Sequence, residues 1–304
     1  MIPVLRVGLA LFLVALAPRA AAARDLQGPR VIAMGGSLRA AAAGTSALIM
    51  NPAGMSLARM YNITAFYQYR ASDAANLINA AVVDSVTARL AAGLSYSFAR
   101  ANPVQTVALA GGKLLTLDEV TNTHEVALGL AYPLGSLATI GLTAKYLNHQ
   151  STLPSTAPAE LAPAGISTVS FDAGAIIKLV QGLQVGVVGY NLVPVDSYNY
   201  PRLLGMGASY TFAQLMTLSF DTVLNFNSHP DGVKPSFHGG LEAFFSQRYA
   251  LRAGAAHDMV RGTTYVTGGL GLLSQRVGAE VGVRQMVKGG AETLLAFSLQ
   301  LFMQ

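Results

Sequence analysis

From Met60 onward the sequence alternates with a period of two, and this constrains the fold more than any other feature. About fourteen segments of roughly ten residues follow one another: 60–70, 77–87, 89–99, 123–133, 137–147, 169–179, 183–192, 203–212, 215–225, 236–245, 249–258, 264–273, 276–286 and 292–302. Ten residues is the length at which a tilted strand crosses a bilayer. The connections alternate too. Pro133–Ser136, Val180–Gly182, Ala213-Gln214, Ser246–Arg248 and Ser274-Gln275 are short, whereas 100–122, 148–168, 193–202, 226–235, 259–263 and 287–291 are longer and more polar. Short turns on one side and longer loops on the other are the pattern of outer-membrane barrels. An even strand count returns both ends of the barrel to the short-turn side.

The faces sort residue by residue. Ile140, Leu142, Ala144 and Tyr146 share one face, and Thr139, Gly141, Thr143 and Lys145 the other. Val277, Ala279, Val281 and Val283 alternate with Gly278, Glu280, Gly282 and Arg284. The apolar face, represented by Leu142, Val185, Phe220, Leu241 and Val281, is expected to meet lipid. A soluble two-sheet sandwich alternates as well, but its outer face carries many charges. Here 52% of residues are hydrophobic and only 12% charged, against about a quarter charged in soluble domains. Beyond the N-terminus no run reaches the ~20 apolar residues of a membrane helix. Only helices and closed barrels satisfy their backbone in lipid, so a closed barrel follows. The formal charge of +5 forms no basic patch, which argues against a nucleic-acid partner. There is no Cys for a disulfide or thiolate, and no Trp for an interfacial belt.

The N-terminus divides into two parts. Residues 1–23 read as a signal peptide: Arg6 in the n-region, Val7–Ala17 as the apolar core, Ala21-Ala22-Ala23 as the cleavage site. Residues 24–59 precede the barrel, 60–304, and contain the small, apolar stretch Ala33–Met55. Thr45 and Ser46 are candidate caps for a turn or helix over 47–50, Asn51-Pro52 ends it, and Gly54 suits a reversal. Such a stretch must be buried. It either plugs the barrel, placing Gly35, Gly36, Asn51, Pro52 and Gly54 inside the wall, or packs as a helix and loop outside it.

These residues resemble a known family. MGGSLRAAAAGTSALIMNPAGM, residues 34–55, is similar to the N-terminal hatch of the FadL-type outer-membrane barrels, with its Asn-Pro-Ala element. The ordered set Ala144-Lys145-Tyr146-Leu147, Phe171-Asp172-Ala173-Gly174, Tyr190-Asn191-Leu192, Pro201, Leu204-Gly205, Ser209-Tyr210 and Leu218-Ser219-Phe220-Asp221 resembles the PorV/PorQ branch over roughly 28–225. The resemblance implies an all-β, fourteen-stranded antiparallel transmembrane barrel with an N-terminal hatch in its lumen. It implies passage or binding of long-chain fatty-acid-like compounds, or, for the PorV side, partnership with a secretion or envelope complex. Phe302 is followed by Met303-Gln304, a departure from the usual terminal aromatic residue.

Catalytic signatures are absent: no G-x-S-x-G, no Walker loop, no zinc spacing. His124, His149, His229, His238 and His257 are scattered, and His257-Asp258 near Ser228 or Ser236 is the one arrangement worth testing as a triad. No enzyme activity and no cofactor is expected. The charges on the inner face, Glu125, Lys145, Asp172, Lys178, Asp221, Glu242, Arg252, Glu280 and Arg284, either line a polar path or pair with one another and with the plug. Glu242 and Arg252 are equidistant from Gln247, which sets them opposite each other, and Lys145 falls near Asp172. The apolar loop 101–122 either admits ligand or folds as a hairpin or helix on the rim. Expected partners are the outer-membrane bilayer and a hydrophobic ligand, or a secretion or envelope protein. A continuous apolar tunnel beside the plug would favour transport; a filled interior would favour the partner role.

Overall fold

Fourteen antiparallel strands pair in sequence order, and the last pairs with the first, from Leu294↔Arg70 to Met303↔Tyr61. The computed structural model describes residues 14–15, 27–108, 114–155, 165–195, 200–228 and 232–303. The strands are β1 Tyr61–Arg70, β2 Ala75–Asp84, β3 Ala91–Ala101, β4 Val120–Leu134, β5 Ala138–Thr152, β6 Ile166–Val180 and β7 Leu183–Tyr190. They continue as β8 Leu203–Phe212, β9 Met216–Asn225, β10 Lys234–Phe245, β11 Tyr249–Asp258, β12 Thr263–Leu273, β13 Val277–Lys288 and β14 Thr293–Met303. The all-β, fourteen-stranded antiparallel barrel expected from the alternation is therefore observed. Strand ends move by up to five residues, mostly because β4, β5 and β6 run to fifteen residues each and carry strand pairing into the long loops.

Closure leaves no unpaired edge, which satisfies the backbone without water. Alternation then does the sorting. Leu142, Phe220 and Leu241 are exposed, and Val185 and Val281 are partly exposed on the same outward face. Thr143, Asp221, Glu242 and Arg252 are buried within. Two of the short turns have left-handed backbone at both central residues, Ala213-Gln214 and Ser246-Gln247. That is the twist a two-residue hairpin requires, here adopted without the usual Asn-Gly. The loop between β3 and β4 folds as a small hairpin, Val104–Ala108 with Leu114–Asp118, as one of the two readings of its apolar sequence expects. The expected signal peptide lies outside the described residues apart from Val14 and Ala15, which pair with Ala108 and Val107. Gly111-Gly112-Lys113 and His229 also lie outside them.

Candidate functional site

The lumen is occupied by the chain's own N-terminal segment. Three short elements build it: α1 Pro29–Ala33, α2 Thr45–Met50 and a 3-10 turn Pro52–Ser56. Pro29 opens α1, where its missing N–H costs nothing. Gly35 and Gly36, both at positive φ, turn the chain out of it. The expected cap differs in detail: Gly44 holds the N-cap of α2 without a side-chain bond, and the Thr45 hydroxyl turns to the wall, 3.0 Å from Asn62 Oδ1 and 2.7 Å from Thr64 Oγ1. Asn51 is extended and ends α2, and its Oδ1 accepts from the Ala53 N–H at 3.2 Å. Gly54 does not make the expected reversal; it lies within the 3-10 turn, where a Cβ would strike the Ala42 carbonyl.

Glycines of the inner wall let the segment's backbone touch the sheet. Opposed pairs recur around the barrel: Gly93↔Gly129, Gly141↔Gly174, Gly186↔Gly207, Gly240↔Gly254 and Gly269↔Gly282. A Cβ on Gly141 would come closer than 3.0 Å to Pro52 and Ala53, one on Gly186 to Arg39, one on Gly240 to Met34 and one on Gly282 to Pro29. Real Cβ atoms do not approach so closely. Around this cradle Val31, Met34, Leu38, Leu48 and Met55 form one buried cluster with Val83, Ala91 and Ala131. Each such side chain contributes about 1.5–3 kcal/mol when fully buried, so packing holds the segment in place.

Charges fix its orientation. Arg30 donates to Glu242 from Nε at 3.0 Å and from Nη2 at 2.8 Å. Arg252, opposite Glu242 in the register, reaches Glu242 at 2.6 Å and Glu280 at 2.8 Å. Gln300 in turn donates to Glu280 at 2.6 Å. Arg39 meets Asp221 at 2.9 Å through both its backbone N–H and its guanidinium, which lies 5.7 Å from the Tyr190 ring centre. The Tyr190 hydroxyl donates to the Met50 carbonyl. Nearer the long loops Lys145 contacts Asp172 and Asn191 Oδ1, at 2.8 and 2.9 Å. Arg284 pairs with Glu292 at 2.7 Å beside Tyr265. Seven of the nine inner charges, Lys145, Asp172, Asp221, Glu242, Arg252, Glu280 and Arg284, thus pair with one another, with the segment or with Glu292, whereas Glu125 and Lys178 form no ion pair among the described residues. Burial of such pairs costs desolvation that their attraction only partly offsets, so they specify arrangement more than they add stability.

Of the residues expected inside the wall, Gly35 lies against the backbones of Gly239 and Ala255, and Gly36 against His238. Asn51 Nδ2 donates to the Arg39 carbonyl at 2.8 Å, and its side chain sits over Gly174. Pro52 lies on Gly141. Arg30, Arg39, Tyr190 and Asn191 make contacts that the sequence pattern does not signal; the first two sit in a segment without periodicity, so no spacing points to their partners. His257 faces Thr264 at 3.0 Å, and Asp258 is opposite Ser236 in the register; no serine–histidine bond forms among the described residues. Nor do those residues hold a cluster of three metal-ligating side chains. Between the segment and the wall, beside Arg30, Thr64 and Glu280, remains a cavity of about 10 Å3, room for one water.

The chain matches no protein-family model and no curated protein. Among solved structures it is similar to the Ralstonia pickettii toluene transporter TbuX, with 14% identity and a TM-score of 0.72 over 91% of this chain and 98% of that one. The Pseudomonas putida toluene transporter TodX follows at 13% identity and a TM-score of 0.64, over 91% and 98%. A Pseudomonas aeruginosa FadL homologue has 11% identity and a TM-score of 0.63 over the same shares. The fold is that of the FadL-type barrels.

Proposed function

We propose that the chain is an outer-membrane barrel that binds or passes hydrophobic small molecules, with the N-terminal segment as its hatch, no cofactor and no enzymatic step. One observation carries this reading: the likeness to two toluene transporters extends over 98% of their chains and 91% of this one. The outward face supports it, since a closed barrel with Leu142, Phe220 and Leu241 exposed is suited to lipid. The leader-like N-terminus and the placement of long and short connections favour export, with short turns in the periplasm. Passage past the wall glycines requires the segment to shift, because its backbone touches them directly and the cavity beside Arg30 has a volume of only about 10 Å3. The two arginine anchors would then be the contacts that break.

That same close packing of the segment on the wall favours a second reading, a PorV/PorQ-like partner of a secretion or envelope complex. Uptake separates the two. Cells lacking other hydrocarbon channels should take up labelled toluene or oleate faster when they express the chain. No gain in uptake, together with protein that purifies free of hydrophobic compounds by mass spectrometry, would favour the partner role.

A further inference from the structure

We propose that the outer wall binds an anionic phospholipid, its acyl chain in a groove across β11–β14 and β1–β3 and its phosphate held by Arg248 and Arg276. The proposal rests on the membrane reading above. The groove has a volume of about 970 Å3, within the roughly 300–1,000 Å3 of small-molecule sites. Its floor comes from the register. Ala279, Ala65 and Ala80 stand in one inter-strand row with Tyr249 at one end and Tyr96 at the other. Leu299, between Ala279 and Ala65, is 69% exposed because its neighbours are too small to cover its flanks. From Tyr249 to Tyr96 the row makes six steps, about 29 Å at ~4.8 Å each. Because barrel strands tilt, such a row slants from the short-turn rim into the apolar band. A chain lying in it would start at the rim and end within the hydrocarbon.

The rim end is cationic. Arg248 precedes Tyr249 on the β10–β11 turn, and its carbonyl accepts from the Leu273 N–H at 2.7 Å. Arg276 lies on the next turn, which joins the Leu272↔Ala279 rung. Both residues are exposed, and neither guanidinium has a hydrogen-bond or ion-pair partner among the described residues. The nearby carboxylates of Glu242 and Glu280 face the lumen and are already paired. Two uncompensated arginines at the headgroup level select a lipid with net negative charge over a zwitterionic one.

Native mass spectrometry of the detergent-purified barrel, with dioleoyl phosphatidylglycerol and dioleoyl phosphatidylcholine as probes, tests this. Wild type should retain one phosphatidylglycerol in preference to phosphatidylcholine. Arg248→Gln/Arg276→Gln should bind phosphatidylglycerol about 30-fold more weakly, the fold-change of two surface arginines at about 1 kcal/mol each, and lose the preference. Ala80→Phe, which fills the floor, should weaken both lipids equally. Heat-modifiable gel mobility reports that each variant is folded. An unchanged preference in the double-arginine variant, no preference in wild type, or a dimer that Ala80→Phe dissociates would each overturn the proposal. Hydrocarbon uptake is read in parallel: lost lipid preference with intact uptake supports the site, whereas absent uptake with intact lipid preference counts against the transport reading alone.

Discussion

Arg30 and Glu242, 212 residues apart, meet in a two-bond ion pair, Nε–Oε2 at 3.0 Å and Nη2–Oε1 at 2.8 Å. The carboxylate is almost fully buried, and it also holds Arg252 at 2.6 Å. One wall residue thereby organises both the inner segment and the sheet beside it. Glu242→Gln leaves the buried Arg252 guanidinium and the partly buried one of Arg30 sharing a neutral amide. Removing one partner of a buried pair costs about 3–5 kcal/mol. Arg30→Met should cost less, because the Arg30 side chain is 24% exposed and Arg252 still neutralises Glu242. The midpoint of heat-modified gel mobility should fall further for Glu242→Gln than for Arg30→Met. The reverse order would mean that the segment, rather than the wall, depends on this cluster.

Gly239 and Gly240 are neighbours on opposite faces of β10. A Cβ on Gly240 would come closer than 3.0 Å to Met34, whereas one on Gly239 meets nothing within 4 Å. Gly240→Ala should therefore loosen the segment and speed proteolysis at 27–57 several-fold, while Gly239→Ala leaves the cleavage rate unchanged. Equal rates in the two variants would show that the glycine cradle does not hold the segment.

The outward face is tested at Val281, which lies between Leu270 and Phe297 in the register. An arginine there would sit among lipid tails and cost roughly 2–4 kcal/mol near the midplane. Val281→Arg should lower folding stability in liposomes by that amount, whereas an exchange at the solvent-exposed Ser274 should leave it unchanged. Equal stability would place Val281 out of the hydrocarbon.

Much of this was legible because strands obey a rigid period. With a turn centred on Gln247, Glu242 and Arg252 must face each other, and they do. Lys145 and Asp172 lie on diagonal positions of β5 and β6, close enough for the long lysine to reach. The segment's partners obey no such rule. Arg39 and Asp221 are 182 residues apart, and nothing in the small, aperiodic run around Arg39 favours one inward carboxylate over another. The groove was hidden for a different reason. Ala65, Ala80 and Ala279 look ordinary within their own strands and become a surface only when six registers are stacked. Alternation gives each side chain its face, but lateral neighbours depend on turn lengths and bulges such as those at Leu183/Gln184 and Thr264/Tyr265.

The hatch role makes the sharpest demand, because it requires the segment to move. Thr45 Oγ1 and Thr64 Oγ1 lie 2.7 Å apart, one on α2 and the other on β1. The chain has no cysteine of its own, so Thr45→Cys/Thr64→Cys would carry a single pair of thiols at these positions. A disulfide needs Cβ atoms about 3.5–4.5 Å apart, a spacing compatible with hydroxyls in hydrogen-bond contact. Oxidation should tether the start of α2 to the wall without disturbing the outer face or the rim. If the segment is the gate, hydrocarbon uptake should drop several-fold in the oxidised barrel and recover with reductant. Either single variant should be indifferent to redox state. Uptake that continues at the wild-type rate through the cross-linked protein, with the bond verified by mass spectrometry, would mean that α2 stays in place while molecules pass.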